Sequence, residues 1–150
     1  MRAVIQRVKK ASVTIGGETK SSIGAGLLIL LGVEQEDVPE DADWLSKKIA
    51  RLRIFDDASG VMNLDVMQSG GDMMVISQFT LHAKTKKGNR PSYIQAAPPE
   101  IAIPIYNRFV DNISRETGKD IKTGDFGAEM DVELLNDGPV TIIIDTKNKE

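Results

Sequence analysis

At 150 residues, of which 41% are apolar and 27% charged, the chain is long enough to bury one core and too apolar to be intrinsically disordered. Its net charge of -3 excludes a positive field over the whole surface, so any contact with nucleic acid must come from a local basic patch. Cysteine is absent, which excludes disulfides, thiolate metal sites and a cysteine nucleophile. With no secretory start and no apolar run long enough to span a bilayer, we expect a cytoplasmic protein that does not enter a membrane.

The N-terminal half predicts two strands and a helix. Residues 3–15 mostly alternate between the two faces of a strand or hairpin, and Gly16-Gly17 closes this segment as a turn. The run 26–33 is continuously apolar and bounded by glycine, which is typical of a strand buried on both faces at the centre of a sheet. An amphipathic helix is predicted over about 39–53, because proline and acidic residues begin it and apolar residues recur at helical spacing.

A second amphipathic helix is predicted over about 99–117. An apolar stripe runs along it, and Gly118 supplies the C-terminal stop. Pro104 is expected to kink or restart this helix, because proline removes a backbone hydrogen bond.

The rest of the chain predicts further strands. They span 73–81, 130–135 and 140–146, with a turn at 136–139 between the last two and a frayed end at 147–150. No repeat, low-complexity segment or linker interrupts the pattern. Residues 1–150 are therefore expected to form a single α+β domain with much antiparallel sheet.

Residues that usually carry catalysis are scarce in this sequence. His82 is the only histidine, so a two-histidine metal site is excluded, and the glycines lack the spacing of phosphate-binding loops. No carboxylate lies near His82 in the sequence to orient it, and we expect it to be a solvated loop residue. The sequence thus predicts no metal, no ATP or NAD chemistry and no other cofactor.

The end of the predicted strand 73–81 is the first candidate site. On a strand, Gln78 and Thr80 would project to one face, and Ser77 and Phe79 to the other. One interpretation is an ordinary sheet edge in which threonine suits β geometry. The other is a small site for a polarised carbonyl, because backbone N–H groups become free where strand pairing stops. The pattern alone leaves both open.

A cluster of basic residues follows directly. It consists of Lys84, Lys86, Lys87 and Arg90. A solvated charged loop and a phosphate-binding loop explain the cluster equally well. If a carbonyl site lies next to this cluster, the phosphate-binding interpretation is favoured over the solvated loop.

The segment Asn136-Asp137-Gly138-Pro139 is a turn by every local rule. A Gly-Pro bond can instead be cis, which would fix two carbonyls in an unusual direction suited to holding an amino group. Both interpretations stay open at this point.

Four segments of the sequence, taken in order, are characteristic of one family. They are Arg2-Ala-Val-Ile-Gln-Arg-Val8, Ser77-Gln-Phe-Thr-Leu81, Arg90-Pro-Ser92 and Asn136-Asp-Gly-Pro-Val-Thr141. The second and fourth are specific when they occur together. Over essentially its whole length the chain resembles the D-aminoacyl-tRNA deacylases of the bacterial and eukaryotic type.

The resemblance implies where the active site lies. Main-chain groups near Phe79 and Thr80 would hold the ester carbonyl, within a catalytic segment that also contains Ser77 and Gln78. The Gly138-Pro139 pair, in cis and contributed by the other subunit, would meet the amino-acid end and exclude L-enantiomers.

The resemblance also implies the pocket, the partners and the fold. Phe126 and Met130 match positions that line the pocket. With tRNA as the substrate, the basic cluster identified above, Lys84, Lys86, Lys87 and Arg90, is expected to contact it. The partners would be aminoacyl-tRNA, bound through its 3′-terminal adenosine, and a second copy of the chain, with two equivalent active sites at the subunit interface. The α+β fold would have mainly antiparallel sheets that form a barrel-like core, with two main helices.

Two other functions are considered on the residues alone. A non-catalytic nucleic-acid-binding protein would use the basic cluster, although the aromatic content of 5% argues against a broad stacking surface. A general hydrolase would be acylated at Ser77 or Thr80, but no group in the sequence is placed to activate either hydroxyl.

The deacylase interpretation makes a further prediction about substrates. If Gly138-Pro139 excludes any side chain on the L face, glycine should pass as a substrate.

Overall fold

The computed structural model describes residues 1–150, and one long N-terminal strand organises its sheet. Strand β1 (Arg2–Ile15) pairs antiparallel with β2 (Glu18–Ile23), β3 (Gly26–Gly32) and β8 (Asp131–Asp145). The tight turn between β1 and β2 uses two glycines with positive φ, as its geometry demands. The predicted first strand and its turn are confirmed.

The predicted central strand is also confirmed. One edge of β3 pairs with β1, and the other pairs in parallel with β6 (Asp72–Ser77), which in turn pairs with β7 (Lys122–Thr123). The Ser21 hydroxyl of β2 donates to the Thr123 carbonyl of β7 at 2.7 Å, so the two ends of the sheet meet. The sheet is therefore a nearly closed, barrel-like structure, as expected.

Both predicted helices are present, and an ion pair joins them. Helix α1 (Pro39–Ala50) packs on α2 (Pro99–Thr117), and Arg108 donates two hydrogen bonds to Asp43, at 2.7 and 2.8 Å. The hydrogen bond from Arg108 lowers the pKa of Asp43 to about 2. The carboxylate therefore stays ionised at neutral pH.

Pro104 does not restart α2, which was one of the two effects expected of it. The helix is continuous from 99 to 117 and ends at Gly118, which has φ +67°. One backbone hydrogen bond is lost at the proline. Apolar side chains on both sides of it, including Ala102 and Phe109, bury the same helix face in the core, and this burial holds the helix together.

The predicted strand over 73–81 is wrong in its second half. Strand β6 ends at Ser77, and Phe79–His82 forms a 3₁₀ turn. The Gln78 N–H makes the last hydrogen bond to β3, at the Leu31 carbonyl, after which the Gln78 carbonyl accepts from the N–H of Leu81. The expected alternation of side chains between two faces therefore does not occur.

His82 is buried, so the expectation of a solvated loop residue is also wrong. Its side chain is 3% exposed and packs against Gly32 of β3, where an added Cβ would lie 3.0 Å from the imidazole Cδ2. The absence of a side chain at Gly32 creates the space that the ring occupies.

The two C-terminal strands predicted around 136–139 are a single strand, β8. Gln6 of β1 pairs with Thr141, whereas Val8 pairs with Asn136, so the residues between them on β8 bulge out of the ladder. The chain continues in the same direction past the bulge, because both halves of β8 pair with the long β1. The sequence predicted a turn because the residue types at 136–139 are typical of turns, whereas the pairing of β8 with β1 is a long-range property.

Three smaller features were not foreseen or differ from expectation. A short hairpin lies between the first helix and β6; its strands are β4 (Phe55–Asp56) and β5 (Met62–Leu64). The C-terminal residues do not simply fray, because the Lys147 Nζ donates to Asp41 of α1 at 2.8 Å. No helix of the chain has the length and apolarity that crossing a bilayer requires.

Candidate active site

A cavity of about 480 Å³ lies where β6 ends. Five residues that the sequence predicted for the site line it together: Ser77, Gln78, Phe79, Phe126 and Met130. Most of the remaining lining is apolar; it comes from β3, β6, β8, the start of α2 and the loops beside them. The fold therefore brings Ser77, Gln78 and Phe79 of the predicted catalytic segment to one cavity with the two predicted pocket residues.

Two backbone N–H groups of the predicted catalytic segment lie at the start of the 3₁₀ turn. The first donor of the 3₁₀ turn is the Leu81 N–H, which bonds to the Gln78 carbonyl at 3.3 Å. The N–H groups of Phe79 and Thr80 precede it and have no partner within the turn. Phe79 lines the cavity and Thr80 follows it directly. Two adjacent amides can stabilise negative charge on a substrate oxygen when both are directed at it.

Thr80 is held by a neighbouring side chain and does not itself line the cavity. The Gln78 Nε2 donates to the Thr80 Oγ1 at 2.5 Å. An amide nitrogen that donates cannot take a proton, so this contact orients the hydroxyl without activating it as a nucleophile.

Aromatic side chains support the two sides of the cavity. Phe79 is 54% exposed and meets Tyr93 edge to face, with ring centroids 5.1 Å apart. Phe126 meets Tyr106 in the same way at 5.9 Å, and the Tyr106 hydroxyl donates to the Val75 carbonyl at 2.8 Å. Burial raises the pKa of this phenol, which stays a donor. Sequence reasoning missed both tyrosines, because nothing local marks them as neighbours of the site.

The basic cluster projects into solvent just after the 3₁₀ turn. An antiparallel bridge between Lys84 and Ser92 closes its base, with N–H to carbonyl distances of 2.8 and 3.0 Å. None of the four predicted phosphate-binding residues, Lys84, Lys86, Lys87 and Arg90, lines the cavity or forms an ion pair, and all four are exposed. Their charge is available to an external anion.

The Gly138-Pro139 pair lies outside the cavity of its own chain. The peptide bond is cis, and Gly138 has φ +123°. Arg7 fixes the segment from below: it is 7% exposed, and its guanidinium donates to the Asp137 carbonyl at 3.2 Å and to the Ile54 carbonyl at 2.7 Å. Sequence reasoning gave Arg7 no role at this pair. The structure thus does not bring Gly138-Pro139 to Ser77–Thr80 within one chain.

A family model, described as D-Tyr-tRNA(Tyr) deacylase, matches residues 4–145 of the chain. The chain belongs to this family. The membership confirms the resemblance inferred from the sequence, and with it an enzyme that is a hydrolase of the D-aminoacyl-tRNA deacylase type.

Curated relatives agree with the assignment, and two solved structures share the fold. Curated proteins named D-aminoacyl-tRNA deacylase from Bacteroides thetaiotaomicron and Parabacteroides distasonis are 67% and 62% identical to this chain, over 100% of both sequences in each pair. A structure named c-Myc DNA Unwinding Element Binding Protein has a TM-score of 0.91 and 43% identity, covering 97% of this chain and 98% of its own. A probable eukaryotic D-amino acid tRNA deacylase has a TM-score of 0.81 at 14% identity, with 95% and 97% coverage, and shares the fold.

Proposed function

We propose that this protein hydrolyses the ester between a D-amino acid, or glycine, and the 3′-terminal adenosine of tRNA, and that it spares L-aminoacyl-tRNA. The observation that carries the proposal is the position of the Phe79 and Thr80 N–H groups at the start of the 3₁₀ turn, where they have no partner within the turn and Phe79 lines the apolar cavity. Residues 1–150 would act as one deacylase domain, without a cofactor. The site of action would be the cytoplasm, where aminoacyl-tRNA is used.

The chemistry needs few catalytic side chains. An aminoacyl ester is already reactive, and an oxyanion-hole donor contributes roughly 3 to 4 kcal/mol of transition-state stabilisation. The N–H groups of Phe79 and Thr80 would hold the ester carbonyl and stabilise the oxyanion that forms when water attacks. The 2′-hydroxyl of the terminal ribose would assist the water, which explains why no histidine serves as a base.

The selectivity for chirality would come from the other subunit of a homodimer. In each of the two equivalent sites, Gly138-Pro139 of one subunit would face the cavity of its partner. Exposed apolar side chains on the same strand support an interface along β8: Leu135 is 48% exposed and Ile143 67%. Arg7 holds this segment in place by its hydrogen bond to the Asp137 carbonyl. Gly138-Pro139 would therefore act as a rigid wedge against an L side chain.

The tRNA itself would be held by the basic cluster. Lys84, Lys86, Lys87 and Arg90 would contact phosphates close to the 3′ end, because they follow the catalytic segment directly in the fold.

A Thr80→Val substitution is expected to lower the rate of D-tyrosyl-tRNA hydrolysis by about tenfold or less, since the backbone donors remain. The substitution removes only the Oγ1 that accepts from Gln78. Thr85→Val, in the neighbouring exposed loop, is the matched control and should leave the rate unchanged. The rate is measured by single turnover, with mass spectrometry for an acyl-enzyme; a complete loss of activity, or an acyl group on the wild-type Thr80, would mean that the hydroxyl is the nucleophile.

A second candidate function is nucleic-acid binding without hydrolysis. It is favoured by the similarity to the solved structure that is 43% identical, which is named a c-Myc DNA Unwinding Element Binding Protein. The exposed basic cluster is compatible with that function too.

The purified protein should be tested on D-tyrosyl-, L-tyrosyl- and glycyl-tRNA without added cofactor. We expect rapid loss of the D-ester and hydrolysis of the glycyl ester, with the L-ester spared. Full resistance of glycyl-tRNA would contradict exclusion of the L side chain as the basis of selectivity. If no ester is lost, the binding function is the one that remains.

A further inference from the structure

The exposed face of α1 carries a second basic surface, which is distinct from the cluster after the 3₁₀ turn. A groove of about 270 Å³ is lined by four residues alone: Trp44, Lys47, Lys48 and Arg51. No carboxylate lines this groove. An aromatic ring surrounded by cations is chemically suited to a polyanion.

The Trp44 ring lies close to two cations, Lys48 of the groove and Lys149 of the C-terminal segment. The Nζ atoms of Lys48 and Lys149 lie 5.7 and 4.3 Å from the centroid of its ring. Trp44 packs against the main hydrophobic core, and this packing restricts the motion of its ring. The C-terminal segment that carries Lys149 is itself held, because Lys147 binds Asp41 of α1. Less side-chain entropy is therefore lost when an anion binds.

The charges on this surface are largely unneutralised. Lys47, Lys48 and Lys149 form no ion pair, whereas Arg51 already contacts Glu116 at 3.5 Å. Asp43, one helical turn before Lys47, is occupied by Arg108. An external anion is thus the available partner for the three lysines.

The surface is connected to the catalytic segment through Arg2. The Arg2 Nη1 donates to the Leu81 carbonyl of the 3₁₀ turn at 2.6 Å. The same residue lines a cavity together with Trp44, Lys48 and Lys149, in which Asp145, its ion-pair partner, and Glu150 are the acidic members. Arg2 therefore lies between the 3₁₀ turn and the surface around Trp44.

We propose that Lys47, Lys48 and Lys149, arranged around Trp44, bind backbone phosphates of tRNA at a distance from its 3′ end. The proposal rests on the proposed function, since it extends the same substrate beyond the catalytic cavity. The chain as a whole is negative, so this local surface has to provide the attraction. Phosphate contacts of this kind add affinity without reading sequence.

The test removes the charges of the two α1 lysines that form no ion pair, in the variant Lys47→Gln/Lys48→Gln. We expect the kcat/KM for full-length D-tyrosyl-tRNA to fall about tenfold near 0.1 M salt, because two phosphate contacts are lost. For uncharged tRNA, the dependence of log affinity on log salt should become less steep by about two. Hydrolysis of D-tyrosyl-adenosine, which lacks the tRNA body, should be unchanged.

The matched control is Lys119→Gln/Lys122→Gln, at the opposite end of β6, where Lys119 lies 3.7 Å from Asp72. It should leave the tRNA affinity and its salt dependence as in the wild type, and thermal melting checks that both variants are folded. An unchanged salt dependence in the α1 variant, or an equal loss in the control, overturns the proposal. If the wild-type protein hydrolyses neither D-tyrosyl-tRNA nor D-tyrosyl-adenosine, the proposed function is refuted. The basic surface on α1 is still tested in that case, because the salt dependence is measured with uncharged tRNA.

Discussion

Gly138→Ala is expected to reduce hydrolysis of D-tyrosyl-tRNA about 100-fold, because small displacements at a positioned site have effects of that size. Gly138 has φ +123°, a conformation that alanine rarely adopts. The new Cβ would lie 2.9 Å from the Cγ2 of Val140 and 3.1 Å from the Nη2 of Arg7. Val140 packs against the core and Arg7 is tied to the Ile54 carbonyl, so the segment with Pro139 has to move.

The control for this prediction is Gly60→Ala. Gly60 also has a positive φ, +76°, but an added Cβ would meet no atom within 4 Å. It therefore shares the backbone cost of about 1 kcal/mol or more without displacing the candidate site. Rates on D- and L-tyrosyl-tRNA are measured for both variants, with thermal melting. If Gly138→Ala remains folded and retains wild-type rate and selectivity, Gly138-Pro139 has no role in the reaction.

Gly32→Ala should affect the other half of the site, with a fall in kcat of about 100-fold and little change in tRNA affinity. The added Cβ would lie 2.9 Å from the Gln78 carbonyl oxygen and 3.1 Å from the Cβ of Leu81. Gln78 cannot yield freely, because its N–H bonds to Leu31 and its carbonyl accepts from Leu81. The 3₁₀ turn is thus pushed away from β3, and the N–H groups of Phe79 and Thr80 are misplaced.

Gly24→Ala is the matched control. Gly24 precedes β3, its φ is not positive, and the nearest atom to an added Cβ would be a carboxylate oxygen of Asp72 at 3.9 Å. Single-turnover rates and binding of uncharged tRNA are compared for the two variants. A folded Gly32→Ala protein with wild-type kcat would contradict the role of the 3₁₀ turn.

Much of the fold follows from local patterns. The apolar run of β3, the helical spacing in α1 and α2, and the glycine turn after β1 depend on neighbouring residues only, and all were predicted correctly. The 3₁₀ turn was not, because Ser77–Leu81 has a strand-like composition and the strand stops where β3 offers its last partner. The bulge in β8 was mistaken for a turn, because the pairing of both halves with β1 is a long-range property.

The residues of the candidate site were likewise predicted where a local motif marks them and missed where their contacts are long-range. Specific motifs identified the segment Ser77–Thr80, and the structure joins most of it with Phe126 and Met130 around one cavity. Arg7 and the two supporting tyrosines were missed, since their contacts are made by residues distant in sequence. His82 was misjudged for the complementary reason: the space that buries it is created by Gly32 on another strand.

The central claim is that each active site combines the 3₁₀ turn of one subunit with Gly138-Pro139 of the other. It is tested most directly by purifying, through two different affinity tags, a mixed dimer of one Gly32→Ala and one Gly138→Ala subunit. In that dimer one site carries both defects and the other carries none, so we predict about half of the wild-type activity on D-tyrosyl-tRNA. A mixed dimer no more active than the two parent variants would contradict a site shared between subunits.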